Sequence, residues 1–473
     1  MSHQDHTHQP DPDRSGGRRA RSRWWAVGVT GLALTTASVA ATPAADAVER
    51  TRSTVADRPS TDEHRGQRER QQSHVLQGRS GGKPSGQSRE DPGKKGGKSA
   101  GVPVPCDPDA LIAAITLANA RGGGVLDLAR DCTYLLTANI DGAGLPAITS
   151  PITLNGTKNT TIERAAAADQ FRILTVNTGG NLTLNQLTVT GGQTTGAAGD
   201  GAGILVYAGG ALTTNHSTIT RSIASAAGGG IANNGTTHLR SSTVGRNTAA
   251  PSGGGIRNSG LISISKSDIH ANTAVVGAGI SSTGTVQIEH SSIAKNRARE
   301  ATGGLFIESG SATIADSSVT NNIATEVVGG ILAGLGTEVT LKSVTIADNV
   351  SLIAIAGGLG VDDGASAVVE DSIIKNNNAS IEGGGIYNLS DLVLRNTKIF
   401  GNQAGSQGGG IYNETIGTVT LFSTKVTKNI VGDDGGGIYN EAGGTVNLNT
   451  ATGTIVVKNR PDNCSGDVPG CAG

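Results

Sequence analysis

A short glycine element followed by an apolar residue recurs ten times between residues 200 and 440, once every 24 to 28 residues. An Ile/Val-x-x-Asn element recurs in phase with it, and short alternating runs, such as Leu-Ile-Ser-Ile at 261–264, are typical of strands. A period in this range is the signature of a solenoid, in which each repeat forms one coil that packs only on its neighbours. The apolar residues of the glycine element serve below as reference positions; they are Ile204, Ile231, Ile256, Ile280, Leu305, Ile331, Leu359, Ile386, Ile411 and Ile438.

The length of the repeat decides which solenoid is expected. A unit of about 26 residues that holds three short strands and glycine corners leaves no room for a helix, which disfavours a leucine-rich repeat. Aromatic residues make up only 2% of the chain, so a core must be built from Ile, Val, Leu, Ala and Thr, which favours β structure. We predict an all-β chain that forms a parallel β-helix of roughly thirteen coils stacked about 4.8 Å apart, right-handed as parallel crossovers normally are.

The solenoid is predicted to begin with a short capping helix just after Cys106. Asp107 is an N-cap residue, and Pro108 takes the first helical position. Apolar residues follow up to Asn119, and three consecutive glycines at 122–124 end the helix. We therefore place the β-helix domain at residues 105–473.

The residues before this domain predict export. Four arginines, an uncharged stretch at 24–45 and small-residue cleavage sites describe a secretory signal peptide at residues 1–47, with a single membrane anchor as the alternative. Residues 48–104 are rich in Arg, Gln, Ser, Gly, Lys and Pro, which predicts a disordered basic linker, or else a tether to an anionic cell wall. We expect a secreted protein, extracellular or loosely associated with the cell wall, with no stable membrane span after signal cleavage.

The charge of the β-helix domain indicates which class of macromolecule it can bind. Residues 101–473 hold 21 basic and 28 acidic groups, although the formal net charge of the whole chain is only −1. Because phosphate contacts need a basic surface, a mildly acidic domain argues against nucleic acid as the main partner.

Two series of polar residues recur once per coil. Eight copies of one residue in equivalent positions predict a stacked hydrogen-bonded ladder and not a catalytic motif. The asparagine series is Asn247, Asn272, Asn296, Asn322, Asn349, Asn377, Asn402 and Asn429. The hydroxyl series is Ser217, Ser242, Ser267, Ser291, Ser317, Ser372, Thr397 and Thr424.

The pattern over about residues 106–471 resembles the secreted bacterial right-handed parallel β-helix proteins of the pectin-lyase-like superfamily. The pairing of Gly-Gly-Gly-Ile at 383–386 with Ile399-x-x-Asn402 is similar to the repeats of the chlamydial polymorphic membrane proteins. The resemblance implies the fold but no single function, because this superfamily includes lyases, hydrolases and adhesins. It makes a polysaccharide lyase or glycoside hydrolase the alternative to a non-catalytic protein.

Enzymes of this superfamily would carry carboxylates that converge on neighbouring coils. The paired aspartates of the domain, at 362–363 and 433–434, are predicted to lie on different corners and three coils apart, so they cannot share a metal or a glycosidic bond. The sequence therefore predicts no catalytic residue, no metal site and no cofactor. It favours a non-catalytic extracellular binding or surface-associated structural protein.

The four cysteines form two terminal pairs. Four cysteines allow three connectivities, but a pairing across the solenoid would join ends about 60 Å apart, far beyond disulfide reach. We predict the bridges Cys106–Cys132 and Cys464–Cys471, each stapling an end coil in an oxidising compartment.

Three consecutive C-terminal coils carry Gly-Gly-Gly-Ile-Tyr-Asn, which places Tyr387, Tyr412 and Tyr439 directly after the reference residue. If the reference isoleucine points inward, strand alternation turns the tyrosine outward. We therefore expect an exposed aromatic strip, followed two residues later by Glu414 and Glu441, that stacks on sugar faces of an extracellular polysaccharide or of the cell wall. The alternative is a structural tyrosine ladder, whose hydroxyls are hydrogen-bonded within the protein and whose stacked rings stabilise the C-terminal coils.

Overall fold

The computed structural model describes residues 101–472, so the predicted signal peptide and almost all of the predicted linker lie outside the described residues. Four parallel sheets, here numbered 1 to 4, are built by strands that follow one another in this order in each complete coil. Sheets 1, 2 and 4 contain 14, 13 and 12 strands, and sheet 3 contains eight. The predicted all-β parallel β-helix of about thirteen coils is confirmed.

Sheets 1 and 2 form two adjoining faces of the coils. The strands of sheet 1 are Val102–Val104, Gly124–Leu128, Pro151–Asn155, Asn181–Asn185, Ala211–Asn215, Thr236–Arg240, Leu261–Ser265, Thr285–Glu289, Ser311–Ala315, Glu338–Lys342, Ser366–Glu370, Asp391–Arg395, Thr418–Phe422 and Thr445–Asn449. Those of sheet 2 are Thr133–Leu136, Thr161–Arg164, Thr188–Thr190, Thr218–Thr220, Thr243–Gly245, Asp268–His270, Ser292–Ala294, Ser318–Thr320, Thr345–Ala347, Ile373–Lys375, Lys398–Phe400, Lys425–Thr427 and Ile455–Val457.

Sheets 3 and 4 complete the coil with shorter strands. The strands of sheet 3 are Ile223–Ala224, Thr248–Ala249, Thr273–Ala274, Arg297–Ala298, Ile323–Ala324, Val350–Ser351, Asn378–Ala379 and Gln403–Ala404. Those of sheet 4 are Leu174–Val176, Ile204–Val206, Ile231–Asn233, Ile256–Asn258, Ile280–Ser282, Leu305–Ile307, Ile331–Ala333, Leu359–Val361, Ile386–Asn388, Ile411–Asn413, Ile438–Asn440 and Cys464–Ser465.

The core is the inside of the stack. In sheet 1 the second and fourth residues of a strand, such as Ile262 and Ile264, are buried, while the residues between them face outward. All ten reference residues begin a strand of sheet 4 and have no exposed surface. Equivalent apolar side chains therefore stack one coil apart along the whole core, as the repeat predicts.

Glycine is needed mainly where two coils approach closely. A Cβ on Gly385 would lie 2.5 Å from the carbonyl oxygen of Gly410 in the next coil, a distance that only glycine tolerates. The corners, by contrast, often use other residues in the left-handed region, such as Lys266 (φ 49°) before a ladder serine and Lys295 (φ 57°) before a ladder asparagine. Left-handed geometry thus explains part of the glycine content, and close approach between coils explains another part.

The predicted asparagine ladder is confirmed, and Asn322 shows how it works. Its Oδ1 accepts hydrogen bonds from the backbone N–H and the Nδ2 of Asn296, each at 3.0 Å. Its Nδ2 donates to the Oδ1 of Asn349 at 3.0 Å and to the carbonyl oxygen of Ile293 at 2.9 Å. Each amide therefore joins its own coil to the coil on either side, and the eight predicted asparagines are fully buried.

Each end of the stack is closed by a cap. At the N-terminus the helix α1, Pro108–Ala120, has Asp107 as its N-cap, and the Cys106–Cys132 disulfide lies beside it. The strand Val102–Val104 precedes the position at which we expected structure to begin, and it pairs with Gly124–Leu128. At the C-terminus the Cys464–Cys471 disulfide closes a loop that inserts Val468 into the core. Both predicted disulfides and the capping helix are confirmed.

The ladder predicts a sharp contrast between two neighbouring asparagines. Replacing buried Asn322 with alanine leaves donors on Asn296 without partners, so we expect a loss of about 3–5 kcal/mol in the free energy of unfolding. Asn321→Ala, one residue earlier on the exposed corner, should cost less than about 1 kcal/mol. Urea unfolding followed by circular dichroism measures both variants, and equal effects would contradict the role of the ladder.

Candidate functional site

The tyrosines of the three C-terminal coils form a continuous stack. The rings of Tyr387 and Tyr412 lie 5.0 Å apart between centroids with planes at 5°, and those of Tyr412 and Tyr439 lie 5.1 Å apart at 14°. The stacking follows from the parallel register of sheet 4, which pairs Tyr387 with Tyr412 and Tyr412 with Tyr439. The predicted one-coil spacing of the rings is therefore observed.

The expectation that this strip is exposed is wrong. Tyr387 and Tyr412 are only 2% and 4% exposed, and Tyr439 is half-buried. The chain before each strand folds back over its outer face, so that a Cβ on Gly383 would lie 2.9 Å from the Cβ of Tyr387. Strand alternation does turn the tyrosine away from the main core, but into a second covered layer and not into solvent.

The tyrosine hydroxyls reach carboxylates of the following coil. Tyr387 donates a hydrogen bond to Glu414, and Tyr412 donates one to Oε2 of Glu441 at 2.9 Å. Burial raises the pKa of both phenols, so they remain protonated donors. Burial also raises the pKa of the Glu441 carboxyl, and the neighbouring Glu414 raises it further, against the opposing hydrogen bond from Tyr412.

We call Glu382, Glu414 and Glu441, all half-buried, the carboxylate ridge. The buried rings hold two of these carboxylates in place, because a hydroxyl at the end of a rigid stacked ring fixes the position of the oxygen that accepts its hydrogen bond. The assignment of the three tyrosines as ligand contacts stays a prediction. What solvent can reach here is the ridge and part of Tyr439.

A second surface was not found from the sequence. A shallow groove of about 690 Å³ runs along the corner between sheets 1 and 2, across four consecutive coils. We call it the corner groove; its lining is Lys266, Ser267, Asp268, His290, Ser291, Ser292, Asp316, Ser317, Ser318, Ser343 and Thr345. All of these residues are charged or carry a hydroxyl or imidazole, so the groove offers hydrogen-bonding groups repeated once per coil.

The corner groove owes its shape to the backbone. The residue that opens the corner lies in the left-handed region in each coil, with φ of 49° at Lys266, 49° at His290, 46° at Asp316 and 55° at Ser343. Nε2 of His290 approaches Oδ2 of Asp316 to 3.8 Å. In the sequence, a polar residue directly precedes each ladder serine. Because its type varies from coil to coil, the shared position is not recognised as a repeat.

The paired aspartates lie as predicted, at different places in the coil. Asp362 and Asp363 follow a strand of sheet 4, whereas Asp433 and Asp434 precede one three coils later. Asp362 is only 5% exposed, and burial raises its pKa to about 6, although the Asp363 N–H donates to it at 2.9 Å. Among residues 101–472, no group of three or more His, Cys, Asp and Glu side chains is placed to hold a metal ion.

No helix within residues 101–472 combines the length and the apolar character that a membrane crossing requires.

Neither a family model nor a curated protein sequence matches the chain. Solved structures similar to it include the A-module of a mannuronan C-5 epimerase from Azotobacter vinelandii, at 15% identity over 76% of this chain and 92% of that one, with a TM-score of 0.41. Tailspike protein 3 of bacteriophage CBA120 is 13% identical over 80% of this chain and 61% of that one, with a TM-score of 0.40. A surface adhesin of Streptococcus pneumoniae is 12% identical over 72% and 89%, with a TM-score of 0.36.

The buried tyrosine stack predicts a large stability effect. Tyr412→Ser opens a cavity between two rings, and we expect it to lower the free energy of unfolding by about 3–5 kcal/mol. Tyr412→Phe removes only the hydrogen bond to Glu441, which is worth about 0.5–2 kcal/mol. Exposed Tyr207 provides the control, since Tyr207→Ser removes little buried surface. An unchanged urea midpoint for Tyr412→Ser would contradict the buried stack and favour the prediction that the strip is exposed.

Asp362 predicts a pH dependence of stability. The folded chain holds this proton up to about pH 6, whereas the unfolded chain releases it near the ordinary value of 3.8, so the stability that the proton provides is lost as pH rises through 6. Asp362→Asn should raise the free energy of unfolding by about 3 kcal/mol at pH 8 and change little at pH 3.5. Asp363→Asn leaves the buried carboxyl in place and removes only the neighbouring charge that also raises its pKa, so it should show a smaller difference between the two pH values. The free energy of unfolding is measured by urea titration between pH 3.5 and pH 8. Parallel curves of this quantity against pH for the wild type and Asp362→Asn would contradict the role of Asp362.

Proposed function

We propose that the chain is a secreted, non-catalytic parallel β-helix that binds glycans as an extracellular or surface-associated structural protein. The observation that carries the proposal is the corner groove, an open channel across four consecutive coils with polar side chains from each of them. A linear glycan offers hydroxyl groups at regular intervals along its length. Strand spacing places the partners of the groove about 4.8 Å apart, which lets one extended chain contact successive coils.

Two features support an extracellular location. Both disulfides close end coils, and bonds of this kind persist in oxidising compartments and are rare in the cytosol. No free cysteine remains in the described part of the chain. The predicted signal peptide at 1–47 would supply the export route.

In this proposal the three tyrosines act through the carboxylates that they orient. Glu414 and Glu441 accept hydrogen bonds from Tyr387 and Tyr412, and their remaining lone pairs can accept hydrogen bonds from sugar hydroxyls. The carboxylate ridge would then be a second contact region for the same ligand class.

The alternative function is a polysaccharide lyase or glycoside hydrolase. What favours it is the Glu414–Glu441 pair, since a carboxyl with a raised pKa beside a second carboxyl is the arrangement that glycosidic acid–base chemistry uses. Against it, both carboxyls are occupied by hydrogen bonds from buried tyrosines, which ties them to the structure of the C-terminal coils.

A glycan array and a product assay with the full chain test the proposal together. We expect retention of at least one polysaccharide and no release of unsaturated sugars or new reducing ends. Thr345→Trp fills the corner groove and should reduce retention at least tenfold, while Thr188→Trp, at the same position of a coil outside the groove, should not. Product release that is lost in Glu414→Gln/Glu441→Gln would establish the enzyme instead, and a chain that retains no glycan would end the proposal.

A further inference from the structure

The positive charge of the solenoid is concentrated in four coils. Residues 201–300 contain eight basic and three acidic side chains and all four histidines of the domain, whereas residues 301–473 contain eight basic and seventeen acidic ones. The basic residues of the first group are Arg221, Arg240, Arg246, Arg257, Lys266, Lys295, Arg297 and Arg299. A net acidic domain thus includes a strongly basic segment.

Three of these cations line one edge of sheet 2. Arg221, Arg246 and Lys295 each follow a sheet 2 strand in the left-handed region, with φ of 53°, 61° and 57°, and all three are exposed. The parallel register that pairs Thr218–Thr220 with Thr243–Gly245 sets Arg221 and Arg246 in adjacent coils, about 4.8 Å apart along the stack. Exposed Arg297 and Arg299 extend the same edge beyond Lys295.

The opposite edge of sheet 2 is also basic or titratable. His216, Lys266 and His290 occupy its corner positions, with φ of 50°, 49° and 49°, and all three are exposed. Lys266 and His290 also belong to the corner groove, so the two surfaces are continuous. We call the outward side of sheet 2 in these coils, together with both edges, the basic face.

The floor of the basic face consists mostly of small side chains, several of which carry a hydroxyl. The outward residues between the edges are Thr218, Thr220, Thr243, Gly245, Asp268, His270, Ser292 and Ala294. The His270 ring lies against the preceding coil, where a Cβ on Gly245 would be 2.9 Å from its Nε2. Asp268 is the only acidic side chain on this floor.

Most cations of the basic face have no acidic partner in residues 101–472. The ion pairs within the described residues are Arg257–Glu308, His290–Asp316 and Arg395–Glu370. Arg257 is therefore used internally, but Arg221, Arg246, Lys266 and Lys295 have no acidic partner in residues 101–472. Uncompensated charges of one sign along a surface attract and steer a polymer of the opposite sign.

We infer that the basic face binds an acidic glycopolymer, a linear chain with a carboxylate or a phosphodiester on each repeat. Guanidinium groups fit both anions with paired hydrogen bonds. The cations at this edge lie one coil apart at Arg221 and Arg246 and two coils apart at Arg246 and Lys295, where Ala271 intervenes, so they can meet several charges along such a chain. Threonine and serine hydroxyls on the floor suit its sugar or alditol hydroxyls. The inference rests on the proposed function, because the ligand is again a glycan. It specifies in addition that this ligand is negatively charged and that the basic face binds it.

The same face is poorly suited to nucleic acid. Single-stranded nucleic acid is held largely by bases stacked on aromatic side chains. No Phe, Tyr or Trp occurs from residue 208 to residue 305, so the basic face has no ring on which a base can stack.

Binding of the full chain to three polymers tests the inference. The probes are polygalacturonate, poly(glycerol phosphate) and carboxyl-reduced polygalacturonate, which differs from the first only in charge. We expect binding to at least one acidic polymer, weakening as salt is raised, and at least tenfold weaker binding to the reduced form. Comparison of the two acidic probes shows whether the anion is a carboxylate or a phosphodiester.

A charge reversal locates the site. Arg221→Glu/Arg246→Glu should weaken binding of the acidic polymer at least tenfold and reduce its salt dependence, without moving the urea midpoint, because both side chains are exposed. The matched control is Lys428→Glu/Lys458→Glu, which changes the same corner position in C-terminal coils and should alter binding less than twofold. The basic linker at 48–104 is present in both variants, so their difference reports on the solenoid alone.

Other results would overturn the inference in distinguishable ways. Equal binding of the reduced and acidic polymers would refute the charge requirement while leaving glycan binding in place. An equal loss in the two variants, or no loss in either, would remove the basic face as the site. Stronger binding of a single-stranded oligonucleotide than of either acidic polymer, lost in Arg221→Glu/Arg246→Glu, would make the face a nucleic-acid site. Retention of no polymer at all would reject both this inference and the proposed function.

Discussion

The hydrogen bonds between buried side-chain amides of successive coils are the constraint on which this fold depends. A corner that reverses the chain leaves backbone groups without partners inside the protein, and an unpaired buried N–H is costly. Each ladder asparagine meets that need for the coil before it, since its Oδ1 receives the backbone N–H as well as the side-chain amide of its counterpart. The identical corner then repeats, and with it the register of all four sheets. Outward side chains are not needed to maintain this register, so they can vary in charge and size.

Periodicity made most of this predictable. The reference residues and the asparagine and serine ladders follow from residues that recur at one spacing. The capping helix follows instead from its N-cap and the glycines that end it, and the disulfides follow from the distance between the two ends of the stack. The orientation of Tyr387 and Tyr412 could not be predicted in the same way. Alternation describes a strand with one buried and one solvated face, whereas the glycine segment before each sheet 4 strand covers the second face as well. The run of glycines was visible in the sequence, but the pattern does not show that this segment folds back over the strand that follows it.

A second amide ladder was also missed, although its residues recur at one spacing. Asn388, Asn413 and Asn440 directly follow the tyrosines, and their amides are linked at 2.8 Å from coil to coil. The triplet Ile-Tyr-Asn thus contains a core residue, a residue of the covered outer layer and a ladder residue in three successive positions. The corner groove and the basic face escaped notice because their members share a position and not a residue type. The surfaces proposed here to bind ligands vary from coil to coil, and a search for repetition passes over them.

The asparagine ladder also gives the stack a direction. From Asn247 to Asn459 the hydrogen bonds between ladder side chains all run in one direction, from the Nδ2 of one amide to the Oδ1 of the amide in the next coil, and they end on Oδ1 of Asn463. The second N–H of each Nδ2 donates to a backbone carbonyl oxygen of the preceding coil. The dipoles of these amides are therefore aligned, with their positive ends towards the C-terminus, much as peptide dipoles add along a helix. Each polarises the next, so that the row behaves as one extended dipole with a donor end and an acceptor end. A coil whose amide pointed the other way would set donor against donor on one side and acceptor against acceptor on the other, so the row favours one orientation of the amide in all of its coils.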